Sequence, residues 1–165
     1  MKYQSVNRPR DFEFHDSVWR FVSHDSNTLV VQAKELNIHK NAAQADVDCD
    51  MEVLLAQITF TNWKPISFTP GVAWKTDEQG NSHPISPIVS YTGEQAAELF
   101  FHELGYDAYG ATILEFEHLG DNIWEVNCCG DEPWFEMQFS FSDIAIEWDE
   151  LFRPAWYVRH ERGEI

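Results

Sequence analysis

A chain of 165 residues, 44% hydrophobic and 15% aromatic, has the length of one domain and too much apolar content to stay disordered. A formal net charge of −17 argues against nucleic acid and anionic membrane as partners and favours a basic protein or a cation. No apolar run reaches the roughly 18 residues that a membrane helix needs, and the three cysteines form no CxxC pair that would suggest zinc.

The opening segment MKYQSVNRPR lacks the apolar core of a secretion signal, so a cytoplasmic protein with reduced thiols is expected. Strand patterns begin at DFEFH, where Phe12 and Phe14 alternate, but Trp19 and Phe21 continue on the opposite parity. A one-residue change of phase flips side chains across a sheet, which predicts a bulge or bend near His15–Val18. NTLVVQA follows with Leu29, Val31 and Ala33 in period two, making HDSN the turn of a hairpin. MEVLLAQITFTNW reads as one long strand ending near Trp63, with Leu54, Ala56, Ile58 and Phe60 on one face. The proline-rich stretch from Pro65 to Pro87, with TDEQGN as a turn, predicts an irregular excursion or a small hairpin.

YTGEQAAELFFHELG predicts the principal helix, near 92–104. Thr92 is its N-cap, Gln95 completes a capping box, Leu99, Phe100 and Leu104 form the apolar stripe, and Gly105 falls just past the last turn. TILEFEHL, a Gly120-Asp121-Asn122 turn, IWEVNCC, a GDEP loop and WFEMQFSF then predict an antiparallel meander. IAIEW follows after a second phase change, at Ser142-Asp143. No repeat, low-complexity tail or linker divides the chain, so residues 1–165 are read as a single α+β domain. The expected architecture is a mainly antiparallel sheet of six to eight strands with one principal helix.

His-Asp-Ser occurs twice, at His15–Ser17 and His24–Ser26. On one regular strand the two histidines would point to opposite faces, about 30 Å apart at roughly 3.3 Å per residue. They are two local devices, a pinned bend and a turn. The FHDS opening, with its following L-x-V strand, resembles the start of small uncharacterised bacterial β-rich proteins, some of them immunity-protein-like. The resemblance covers residues 12–33 and implies neutralisation of a toxin, with no catalytic set to carry over. Elsewhere, His102-Glu103 has no second histidine at metalloprotease spacing. Asp46, Asp48, Asp50 and Glu52 alternate like a calcium loop, but Met51 replaces the required Gly and Gln57 the required Glu. No catalytic residue, metal or cofactor is predicted.

All 11 Lys and Arg lie at or before Lys75 or at or after Arg153, so the 17 acidic residues between Thr76 and Phe152 account for the whole excess charge. In the meander, Leu114, Phe116, Trp124, Val126, Cys128, Phe135, Met137 and Phe139 are expected to face inward. Glu115, Glu117, Glu125 and Glu136 then face outward with no base between them. Like charges on neighbouring strands cost stability. Such a face is expected to dock a basic protein, with Trp124 and Trp134 as anchors and Asp131 and Glu132 in the adjoining loop. The expected function is a soluble acidic binding protein, an immunity protein that occludes a basic toxin domain. The alternatives are a small-molecule or metal-dependent enzyme with a pocket near His15, Asp16 and the 65–87 excursion, or an oligomeric module without a ligand.

Overall fold

The computed structural model describes every residue except Ala43, Asp46, Asp107 and Ala108. The first strands are β1 (Tyr3–Val6), β2 (Phe12–Glu13), β3 (Val18–Asp25), β4 (Thr28–Lys34), β5 (Asn37–Ile38) and β6 (Met51–Val53). Next come β7 (Ala56–Thr61), β8 (Lys64–Pro70), β9 (Trp74–Thr76), β10 (Ser82–Pro84), β11 (Tyr91–Thr92) and helix α1 (Gly93–Gly105). The chain ends with β12 (Ala111–Gly120), β13 (Ile123–Cys129), β14 (Phe135–Ser140), β15 (Asp143–Trp148), β16 (Leu151–Pro154) and the short helix α2 (Trp156–Glu161). None of the described helices is long and apolar enough to cross a membrane.

The α+β, mainly antiparallel character is as expected, but the main sheet has 10 strands, in the order β1-β15-β7-β4-β3-β12-β13-β14-β8-β11. The expectation of six to eight strands misses short β1 and β11, and also β8, whose Pro65 and Pro70 place it in the stretch read as irregular. A second sheet runs β16-β6-β5-β2, and β9 and β10 form a separate exposed hairpin within the 65–87 stretch. Pro65 itself belongs to β8 of the main sheet.

The main sheet rolls up on itself. Phe60 of β7 and Phe139 of β14 lie five steps apart in strand order, about 24 Å on a flat sheet at ~4.8 Å per strand. Their rings nevertheless meet at 5.4 Å. Right-handed twist accumulating over so many strands makes this closure possible. The Ser142-Asp143 phase change marks where the chain leaves β14 and crosses to β7, with the Ser142 N–H donating to the Thr61 carbonyl at 2.8 Å. β15 is therefore not the next strand of the meander. Helix α1 lies across the concave face, Phe100 against Phe135 and Phe139, and Phe101 against Phe21 and Trp63. Thr92 occupies the N-cap position without a side-chain cap hydrogen bond, and Gly105 is the last helical residue rather than the one beyond.

The run MEVLLAQITF is two strands in different sheets, not one. The chain leaves the small sheet after Val53 and joins the main sheet at Ala56, both buried, so Leu54 is 48% exposed at the crossing. Apolarity alone does not reveal such a step, because both flanks are apolar. The acidic run just before it serves the small sheet: Glu52 pairs with Arg153 at 2.8 Å. The Asp50 carboxylate takes the Lys40 N–H at 2.9 Å and the Tyr157 hydroxyl at 2.8 Å, and lies 2.8 Å from His39 Nδ1. Asp46 lies outside the described residues.

Burial pushes the Asp50 carboxyl up, but hydrogen bonds from His39, Lys40 and Tyr157 outweigh it and hold the group below its ordinary value. A depressed carboxylate contributes stability that is present above the unfolded value and is lost as pH falls through the folded one. Asp50→Asn is therefore expected to be less stable than wild type at neutral pH. The gap should narrow below about pH 4, as read from urea midpoints.

Candidate functional site

The outer face of the meander is built by register. Glu115 stands opposite Asn127 and Asn127 opposite Glu136, while in the next row Glu117 faces Glu125 and Glu125 faces Gln138. An amide thus separates the two carboxylates of the first row, while in the second row two carboxylates stand directly opposite one another with Gln138 beyond them. Asn127 Nδ2 lies 3.4 Å from both Glu115 Oε2 and Glu125 Oε1, and Gln138 Nε2 donates to Glu125 Oε2 at 2.8 Å. These amides relieve the repulsion that four carboxylates on neighbouring strands would otherwise impose. No Lys, Arg or His among the described residues forms an ion pair with any of the four. The hydrogen bond and charge of Glu115 raise the Glu117 pKa, and burial followed by the Glu125 charge raises that of Glu136. The Glu117 shift comes from its carboxylate neighbour, whereas that of Glu136 comes mainly from burial.

The inward face is as greasy as the alternation implies, with one correction. Ile113, not Leu114, is the buried residue, because a bulge between Ile113 and Glu115 inserts Leu114 as an extra position. The expected anchors do not share the glutamates' face. Trp124 stacks inward on Phe116 at 4.8 Å and contacts Phe141 at 5.3 Å. Trp134 sits in the loop before β14, 38% exposed, and covers Gly71, whose N–H it accepts at 2.7 Å. Period two sends Trp124 to the side opposite Glu125, and Trp134 precedes the strand.

Asp131 and Glu132 lie in a loop that is latched to α1. Glu103 is buried, and its Oε2 accepts the Glu132 N–H at 3.1 Å. Burial raises its pKa. His102, Glu103 and Asp131 bring one ligand atom each within 4.8 Å of one another, but Glu103 is committed to the loop backbone.

No protein-family model matches the chain, and no curated protein or solved structure matches it.

The two His-Asp-Ser copies take separate roles. At the second, Asp25 pairs with Thr28 and Ser26 adopts φ 50° in the hairpin turn, while His24 packs on Trp63 and Phe101. The first marks where the chain peels away from β12. Asp16 adopts φ 65°, the Ser17 hydroxyl donates to the Phe14 carbonyl at 2.6 Å, and His15 Nδ1–H donates to the Leu114 carbonyl at 2.7 Å.

Peeling away opens a cleft of about 970 Å³ between residues 7–15 and residues 114–118, with Trp124 at its inner side. His15 lines this cleft, Asp16 lines a smaller one on the other side, and the 65–87 stretch lines neither. The pocket imagined around all three is therefore not assembled. The cleft lies beside His15, where the second reading of the sequence expects a pocket, but its walls are not readable there: the phase change at His15–Val18 gives the bend and not what lies opposite.

Proposed function

We propose that this protein binds a basic protein partner through the outer face of β12, β13 and β14, neutralising it by occlusion, as an immunity protein does with a toxin domain. The observation that carries this reading is the group of four carboxylates without an ion-pair partner among the described residues, Glu115, Glu117, Glu125 and Glu136, of which Glu115 and Glu125 are oriented by Asn127 and Gln138. Oriented carboxylates on a rigid sheet lose little freedom on binding, and complementary charge speeds encounter and rejects acidic partners. The same convex surface becomes basic toward β3 and β4, where Arg20 pairs with Gln32 and Lys34 with Val18 in the register. The negative field is therefore zoned, which gives a partner an orientation.

Decalysine is a suitable probe, since it tests charge without demanding shape. It is expected to bind in low salt, and the triple variant E115Q/E125Q/E136Q to bind about tenfold more weakly, each lost pair being a modest exposed contact. Equal binding by variant and wild type would remove the acidic face from the account. A toxin partner further predicts that an adjacent gene encodes a basic protein that kills cells unless this chain is co-expressed. A harmless or acidic neighbour would restrict the reading to basic-protein binding.

A further inference from the structure

The cleft beside the bend is bounded by two free sheet edges. β3 pairs with β12 only at Trp19–Ala111 and Val18–Thr112, and Ile113 then exchanges hydrogen bonds with Asp16 and Ser17. Beyond Leu114 no described backbone group pairs with β12 on that side. Five consecutive residues, Leu114 to His118, line the cleft. Side chains of one strand alternate between faces, so an unbroken run is lined by the strand's edge and not by either face. The opposite wall contains β2, which among the described residues pairs with β5 alone and is the outermost strand of the small sheet. The space is the lane that residues 8–15 would have filled had they continued straight along β12.

We infer that this lane receives an extended segment of the basic partner, added as a strand along β12. The proposal rests on the acidic-face reading above and specifies its mode of contact. An open edge offers a row of backbone donors and acceptors, and natural proteins otherwise cover or blunt such edges. A strand placed here sends alternate side chains to the two sides of the main sheet. On the outer side they meet Glu115 and Glu117, and on the inner side Phe116 and Trp124. The occupant is accordingly a segment alternating basic and apolar residues. The far wall is formally neutral, Arg8 and Arg10 being matched in number by Asp11 and Glu13, with Arg8 paired to Asp11 at 2.9 Å, so the charge preference comes from β12. His15 holds the Leu114 carbonyl and thereby marks where the lane ends.

The test uses the wild-type protein and synthetic octapeptides. An alternating lysine–valine peptide is expected to bind and to slow amide exchange at 115–118. N-methylation of alternate residues, tried in both registers, should weaken it at least about tenfold in one of them, since several ladder bonds are lost together. Equal binding of methylated and unmethylated peptides overturns strand addition while leaving the acidic face standing on its decalysine result. Failure of the lysine–valine peptide where decalysine binds also overturns it. Protection, without peptide, of those amides of 115–118 that face the cleft and not β13, accompanied by a concentration-dependent dimer in sedimentation, overturns it in favour of a second copy of this chain.

Discussion

Replacing Trp19 with alanine is expected to cost about 3–5 kcal/mol of folding stability, the range for removing a large fully buried aromatic. Trp19 has no exposed surface and touches Phe14 at 5.9 Å, Phe60 at 5.8 Å and Phe116 at 5.5 Å. Those rings come from the segment that peels toward the small sheet, from β7 and from β12, so one side chain ties together the three walls that meet behind the cleft. Its indole Nε1 is buried without a hydrogen-bond partner among the described residues. Trp19→Phe therefore deletes an uncompensated donor while keeping most of the contact, and should cost clearly less than Trp19→Ala. Urea unfolding decides the matter. A midpoint shift worth under about 2 kcal/mol for the alanine variant would show that the three walls hold together without this ring.

Gly110→Ala is expected to be damaging at the same junction, by about 2–4 kcal/mol from strain and overpacking together. Gly110 has φ +92°, and an added Cβ would collide with the Trp19 carbonyl oxygen while standing 3.0 Å from its carbon. That obstacle is backbone, held in the β3–β12 pairing, and has nowhere to move. Gly80 provides the control: its φ is +86°, but nothing lies within 4 Å of its Cβ position. Gly80→Ala carries the conformational penalty alone, about 1 kcal/mol. The difference between the two variants isolates the collision, and equal costs would mean that β3 and β12 part more easily than their register implies.

The local patterns of the chain were legible because each depends on near neighbours. The Asp121-Asn122 turn, both residues at positive φ (48° and 61°), joins β12 to β13 as the flanking alternation implies. The bend at His15–Val18 and the turn after His24 likewise fell where the phase and the turn residues put them. Local errors came where two elements share one hydrophobic signature. The run from Met51 to Thr61 changes sheets at Leu54 without ceasing to be apolar, and the bulge at Leu114 moves one leucine off the core face.

Alternation along the chain fixed which side chains oppose one another across a single strand, and so placed the four glutamates on the face away from Phe116 and Met137. That follows from the two-residue repeat of extended backbone, whatever the fold around it. The neighbour of each strand was decided only in three dimensions. β15 lies beside β7 and not β14, and β3 leaves β12 after two pairs and so opens the cleft. Strand partnership depends on how side chains far apart in sequence fill one interior, a cooperative packing problem with no signature in any short segment.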